Sequence, residues 1–308
     1  MAVSITLRNI IKKYDDKAAL NNVTLGVEKG HIHALIGTTG SGKSTLLRVI
    51  ATLCSPTLGS GYINGLNLGA RQNQIRHQIG YMSQDSRFEQ SLTLMENLTL
   101  HGKLHGIAQG DLINRISGFV RRFEVVNSLH SFPREVSYGT RRKMEFIRAV
   151  LHNPSILLLD EPTASLDQGC KELMEAFLRE QKLRFTTVMV SSNIDQVERL
   201  ADRISILDEG RLVADVTLKE LKETERENRI LDLTLSETHE RDFNILDASP
   251  HVVSYTVQGN HYEIITEVDI PPEKITALFH ERVVEATPRL PALSDIFKRM
   301  IKVEAMHE

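Results

Sequence analysis

Gly37-Thr38-Thr39-Gly40-Ser41-Gly42-Lys43-Ser44-Thr45 is the run whose residue types and spacing point most directly to chemistry. Glycines in such a pattern let the backbone turn its N–H groups inward, so that the loop cradles phosphate oxygens. Lys43 then reaches the β- and γ-oxygens, and the Ser44 hydroxyl is placed to ligate Mg²⁺. The substrate this implies is a nucleoside triphosphate, ATP or GTP. Hydrolysing one needs a second, acidic element to hold the metal and orient water. Ile156-Leu157-Leu158-Leu159-Asp160-Glu161 supplies it, an apolar run that ends in two carboxylates. Asp160 belongs in the Mg²⁺ shell, and Glu161 is the candidate general base.

Both motifs need rigid elements behind them. His31-Ile32-His33-Ala34-Leu35-Ile36 reads as a strand entering the phosphate loop, and Thr45-Leu46-Leu47-Arg48-Val49-Ile50 as a helix leaving it. The runs at 31–36, 156–160, 186–191 and 203–207 are nearly all apolar, as strands buried on both faces must be. Alternation in 5–10 and 23–27, with glycine-marked turns through 59–65, predicts half-exposed strands at an early antiparallel part. From about 85 to 150 the period turns helical, and Leu92, Leu94, Leu98, Leu104, Ile113, Ile116, Phe119, Val120 and Phe123 are spaced for one apolar stripe. The boundaries that follow are a nucleotide-binding domain over 1–218, a mixed-charge linker over 219–229 and an accessory domain over 230–308. In that last part the order is strand, helix, hairpin around Gly259-Asn260, helix from Pro271-Pro272, strand, and a final helix from 292. The βαββαβ core is the ferredoxin-like arrangement, without a catalytic constellation.

Composition excludes several classes. A chain of 308 residues with 41% hydrophobic and 25% charged content is globular rather than disordered. A net charge of −3 gives no global attraction to nucleic acid. Cys54 and Cys170 lack metal spacing and suit a reducing compartment. The opening Met-Ala-Val-Ser-Ile-Thr-Leu-Arg lacks a cationic segment leading into an apolar core, so no secretory signal is expected, and no run of apolar residues is long enough to cross a bilayer as a helix.

Taken together, the phosphate loop and the acidic strand end resemble those of the nucleotide-binding subunits of ATP-binding-cassette (ABC) transporters, over residues 4–218. The resemblance implies an α/β P-loop NTPase cassette with a mixed core sheet, an antiparallel β part and a helical part. It places Tyr14 against adenine, Gln84 of Ile79-Gly80-Tyr81-Met82-Ser83-Gln84 at the metal and the helical part, and Asp167 of Ser165-Leu166-Asp167 in the loop that crosses a dimer interface. The family signature Leu-Ser-Gly-Gly-Gln is matched by Val136-Ser137-Tyr138-Gly139-Thr140, which retains Ser137 and Gly139 for the γ-phosphate held by the opposite subunit. Arg141, Arg142, Lys143 and Arg148 after it read as a solvated face. Asn193 stands where the family places a histidine between the γ-phosphate and the base; it can donate a hydrogen bond but carries no charge, so slow hydrolysis is expected.

The same resemblance implies the activity and the partners: Mg-ATP hydrolysis by a dimer of cassettes, identical or not, that drives a separate membrane permease from the inner face of the cell membrane. Similarity of the signature and of Leu293-Ser294-Asp295-Ile296-Phe297 to drug- and polysaccharide-exporter ATPases of the ABC-2 type implies export. An ATP-gated subunit with little turnover and a soluble non-transport ABC ATPase are the alternatives, and no nucleic-acid partner is expected.

Overall fold

Val188, Met189 and Val190, like Leu157, Leu158 and Leu159, are shut off from solvent because their strands lie inside a sheet covered on both faces. In the computed structural model, which describes residues 2–85, 88–224, 228–289 and 295, the chain divides into two compact units, Met1–Thr217 and Leu218–Glu308.

The first unit holds two sheets. An antiparallel hairpin of β1 (Val3–Tyr14) and β2 (Lys17–Glu28) continues through β4 (Leu58–Ile63) to the short β5 (Leu66–Asn67). The main sheet contains β3 (Ile32–Gly37), β6 (Ile79–Met82), β7 (Ile156–Asp160), β8 (Thr186–Val190), β9 (Arg203–Asp208) and β10 (Arg211–Thr217), in the order β10-β9-β3-β8-β7-β6. Its members pair in parallel except β10, which closes the edge antiparallel to β9. One apolar core joins the two sheets through Leu7, Leu25, Leu46, Ile50, Leu158 and Val190.

This order matters for the site. Strand β8 is inserted between β3 and β7, with Leu35 opposite Val190 and Val190 opposite Asp160. The carboxyl ends of three neighbouring parallel strands therefore open on one edge, the place where α/β sheets bind ligands. The helix α1 (Lys43–Ile50) leaves that edge after β3, and α2 (Gln72–Gln78) precedes β6.

Residues 85–150 do not form one stripe. They make α3 (Leu94–Leu104), α4 (Gln109–Arg122) and α5 (Tyr138–Val150), with a left-handed turn at Gly106 between the first two. Leu104 is 70% exposed and Ile113 45% exposed, because the chain reverses between them and each helix buries its own face. Thr93 and Glu96 start α3 with a reciprocal capping box. Gly102 lets α4 approach, since a β-carbon there would stand 2.2 Å from Leu112 Cδ1. Helices α6 (Gln168–Glu180) and α7 (Ile194–Leu200) complete the unit.

In the second unit, α8 (Leu218–Thr224) occupies part of the stretch read as linker, and β11 (Asn228–Leu235) begins inside that stretch. Next come α9 (Glu240–Ala248), β12 (Val252–Gln258), β13 (His261–Glu267), α10 (Pro272–Thr276) and β14 (Val283–Arg289). The sheet order β12-β13-β11-β14, antiparallel throughout, is that of a ferredoxin-like fold. Its core includes Leu231, Leu233, Tyr262, Ile264 and Phe279. The final helix expected from 292, and all of the tail motif 293–297 except Asp295, lie outside the described residues.

Candidate functional site

Gly37 and Gly42 are glycines for steric reasons. A β-carbon on Gly37 would stand 2.1 Å from the Leu207 carbonyl oxygen, and one on Gly42, at φ 104°, would stand 2.4 Å from the Ala19 carbonyl oxygen. Gly40, at φ 86°, has open space on its β-carbon side. Thr38, Thr39 and Ser41 fill the rest of the turn from β3 into α1, and Thr45 lies in the first turn of that helix. The Thr38 hydroxyl donates to Asp208 at 3.0 Å, tying the loop to the end of β9.

Lys43 folds back over the loop. Its ammonium donates to the carbonyls of Gly37 (3.0 Å) and Thr38 (2.6 Å) and to the Ser41 hydroxyl (3.2 Å). Burial pushes its pKa down, opposed by the negative charges of Glu161, Asp160 and Asp208. The Ser44 hydroxyl donates to Asp160 at 3.1 Å, so that two hard oxygen donors face each other where the phosphate loop meets the end of β7. Burial raises the Asp160 pKa, while the Ser44 hydrogen bond and the cations of Arg48, Lys43 and Arg142 oppose the shift. This donor set fits a small, hard divalent cation such as Mg²⁺.

Glu161 leaves β7 in a left-handed conformation at φ 47°, an uncommon state for a residue with a side chain. Two contacts impose it: its N–H donates to the Val190 carbonyl at 3.0 Å, and its carbonyl accepts from Arg142 at 2.9 Å. Its carboxylate accepts a hydrogen bond of 3.1 Å from the Ser192 hydroxyl. The residue brought to Glu161 from the end of β8 is thus Ser192. The neighbouring Asn193 turns its side-chain oxygen onto the Gln196 N–H at 2.9 Å and caps α7.

Arg142 corrects the reading of the basic run as a solvated face. It is 1% exposed and lies across the base of the site. Its guanidinium donates to the carbonyls of Ser83 (2.7 Å) and Gln84 (3.2 Å), to that of Glu161, and to Glu145 at 2.8 Å. One side chain from α5 thereby holds both the turn carrying Gln84 and the backbone of Glu161. The detectable signal was its spacing: Arg142 and Glu145 are three apart on the apolar face that also carries Met144, Phe146, Ala149 and Val150.

The remaining candidates lie further out. Gln84 is exposed just past β6, with its backbone held by Arg142. Tyr14, at the end of β1, is 45% exposed; Lys12 covers its ring at 5.0 Å, and its hydroxyl faces the Cys54 thiol at 3.9 Å. Ser137 caps α5 by accepting from the Thr140 N–H at 3.1 Å. Gly139 faces Asp167, whose carboxylate oxygen would be 3.8 Å from a β-carbon there, and Asp167 itself caps α6 through the Cys170 N–H at 2.8 Å. Residues Ser137, Gly139 and Asp167 are thus brought together where α5 and α6 begin.

The chain is similar to known proteins on the same lines. A family model described as "ABC transporter" matches residues 20–164. The daunorubicin resistance ATP-binding protein DrrA3 of Streptomyces coeruleorubidus is 33% identical, over 76% of this chain and 74% of that protein. The bacitracin transport ATP-binding protein BcrA of Bacillus licheniformis is 30% identical, over 82% of this chain and 83% of its own length. Among solved structures, a dimeric ATP-binding cassette in a post-hydrolysis state bound to ADP and Pi superposes with a TM-score of 0.66 at 27% identity, covering 70% of this chain and 98% of that one.

Proposed function

This chain belongs to the ABC transporter family of ATP-binding subunits, and on that premise we propose that it hydrolyses Mg-ATP to drive a separate membrane permease of the export type. The observation that carries the proposal is the Ser44–Asp160 contact of 3.1 Å, which joins the phosphate loop to the acidic strand end beside Glu161. Ser44, Asp160 and Gln84 would hold Mg²⁺, which would supply positive charge against that developing on the phosphate oxygens. Lys43 exchanges its loop carbonyls for phosphate oxygens as ATP enters. The loop N–H groups and the amino-terminal end of α1 then hold the phosphates. Tyr14 offers the exposed part of its ring to adenine.

For the chemical step, Glu161 accepts a proton from water while the water oxygen bonds to the γ-phosphorus and the bond to the β–γ bridging oxygen breaks. Ser192 orients the carboxylate of Glu161. Two cassettes act together: Ser137 and Gly139 of one chain close over the cradle of the other, with Asp167 at the boundary. Relatives named for drug resistance and bacitracin transport support the export direction. The subunit would sit on the inner face of the cell membrane, where the helical part near Gln84 meets the permease.

A second reading, an ATP-gated subunit with little turnover, is favoured by one observation: Asn193 spends its side-chain oxygen on capping α7. Phosphate release from the purified protein, compared with Glu161→Gln and measured alongside ATP-dependent dimerisation, separates the two. Dimerisation without release selects the second reading.

A further inference from the structure

Away from the nucleotide site, histidines from separate elements converge. His101 lies in the last turn of α3, His105 is its C-cap, and His152 sits in the turn between α5 and β7. One ring nitrogen from each lies within 4.8 Å of the others. His101 Nε2 is 3.3 Å from His152 Nδ1, and the rings of His105 and His152 stack with centroids 3.8 Å apart. His77, from the last turn of α2, meets the His105 ring edge-on at 5.4 Å.

The orientation of His152 is fixed from behind. Its Nε2 is 3.1 Å from the carbonyl oxygen of Ile79, the first residue of β6. A carbonyl only accepts, so Nε2 carries the proton and the lone pair of Nδ1 faces the cluster. A backbone carbonyl holding the far nitrogen of an imidazole is the arrangement that orients metal-ligating histidines.

We propose that His101, His105 and His152 form a binding site for a divalent transition metal of the zinc type, with water at the fourth position. Ligand chemistry selects the class: three neutral imidazoles suit Zn²⁺, Co²⁺, Ni²⁺ or Cu²⁺, and offer Mg²⁺ or Ca²⁺ none of the oxygens they require. Zn–N bonds of about 2.0–2.1 Å in a tetrahedron put ligand nitrogens about 3.3–3.4 Å apart, the spacing His101 and His152 already have. On binding, the proton that His101 Nε2 shares with His152 shifts to His101 Nδ1, and both rings stay neutral. Burial, then neighbouring histidines and the cations of Arg148 and Arg115, push the His101 pKa down to about 3 and that of His152 to about 4. The same two guanidiniums oppose an incoming cation and hold the affinity below that of an uncharged pocket. A bound ion would tie α3 to the turn entering β7 and, through Ile79, to the edge strand β6 that leads to Gln84.

Tag-free full-length protein, stripped of metal by dialysis against chelator, is titrated with Zn²⁺ by calorimetry and with Co²⁺ by visible absorption, without nucleotide. The expected result is one equivalent of saturable Zn²⁺ and the intense visible bands of four-coordinate Co²⁺. His101→Gln and His152→Gln should each weaken Zn²⁺ binding at least about tenfold, with melting curves establishing that they fold. His105→Gln, at a half-exposed position, is the second probe should those variants unfold. His261→Gln tests the other cluster able to hold a cation among the described residues, Asp232 with His261 and Glu263, where Asp232 is already paired with Arg289 at 2.6 Å; it should change nothing. Equal Zn²⁺ binding by wild type and the His101, His105 and His152 variants overturns the proposal, as does loss in His261→Gln or the absence of saturable binding.

Discussion

The carbonyl of Glu161 accepts a 2.9 Å hydrogen bond from the buried guanidinium of Arg142, so the left-handed backbone of the candidate base is held from the helix that Ser137 caps. The same guanidinium holds the carbonyls of Ser83 and Gln84, which links three parts of the site through one side chain.

Removing Arg142 should therefore affect both stability and turnover. Arg142→Ala leaves Glu145 buried without its partner, a loss of about 3–5 kcal/mol. Denaturant unfolding should show a midpoint shift of that size. Replacing both residues, Arg142→Met with Glu145→Leu, should recover much of the stability but not the ATPase rate, because the Glu161 carbonyl still lacks its donor. Recovery of both would make Arg142 a packing element alone.

Asp160 and Ser44 should separate binding from metal dependence. Asp160→Asn keeps shape and packing but removes the negative charge that faces Ser44. ATP binding should persist, while the stimulation of binding by Mg²⁺ falls at least about tenfold. Fluorescent-nucleotide titration with and without Mg²⁺ reads this directly.

How much of this was legible in the chain depended on where each signal sat. Phosphate loop and acidic strand end could be read because their chemistry is contiguous: Lys43 and Ser44 follow Gly42, and Asp160 and Glu161 end one apolar run. Hairpin and helix markers likewise exposed the βαββαβ order of the second unit. A cation within Arg-Arg-Lys reads as solvated, whereas the burial of Arg142 comes from tertiary contacts with Ser83, Gln84 and Glu161 that sequence separates widely. The Ser192–Glu161 contact has no trace in the sequence, since side-chain direction at the end of β8 is set by the turn and the cap of α7. The histidine cluster left only His101 and His105, four apart, as a local trace; His77 and His152 join it through the fold.

Asn193→His should raise the hydrolysis rate, by about 10²-fold if the new ring donates to the developing charge. KM should move little, since the phosphate loop is untouched. Ser192→Ala should act oppositely and lower the rate by freeing the Glu161 carboxylate. An unchanged rate in Asn193→His would mean that this position is spent on capping α7.

In the second unit, Asp242 is fully buried yet charged. Its burial opposes ionisation, but hydrogen bonds from Arg282, the His239 N–H and the Tyr262 hydroxyl outweigh this and lower its pKa to about 2. A carboxylate with a depressed folded pKa contributes stability that is fully present above its ordinary value near 3.8 and is lost as pH falls through about 2. Asp242→Asn should thus destabilise this unit at neutral pH, with the difference from wild type closing between about pH 4 and pH 2. Hydrogen exchange at β13 and α9, followed against pH, measures it.

Turnover of ATP by this cassette, with Glu161 as its base, is what the site's geometry stands or falls on. Phosphate release at saturating Mg-ATP, wild type against Glu161→Gln, tests it most directly. Wild type should show measurable turnover, and the variant a drop of about 10²–10⁴-fold with undiminished ATP binding. Equal release by the two proteins, with ATP bound by both, would contradict that role of Glu161.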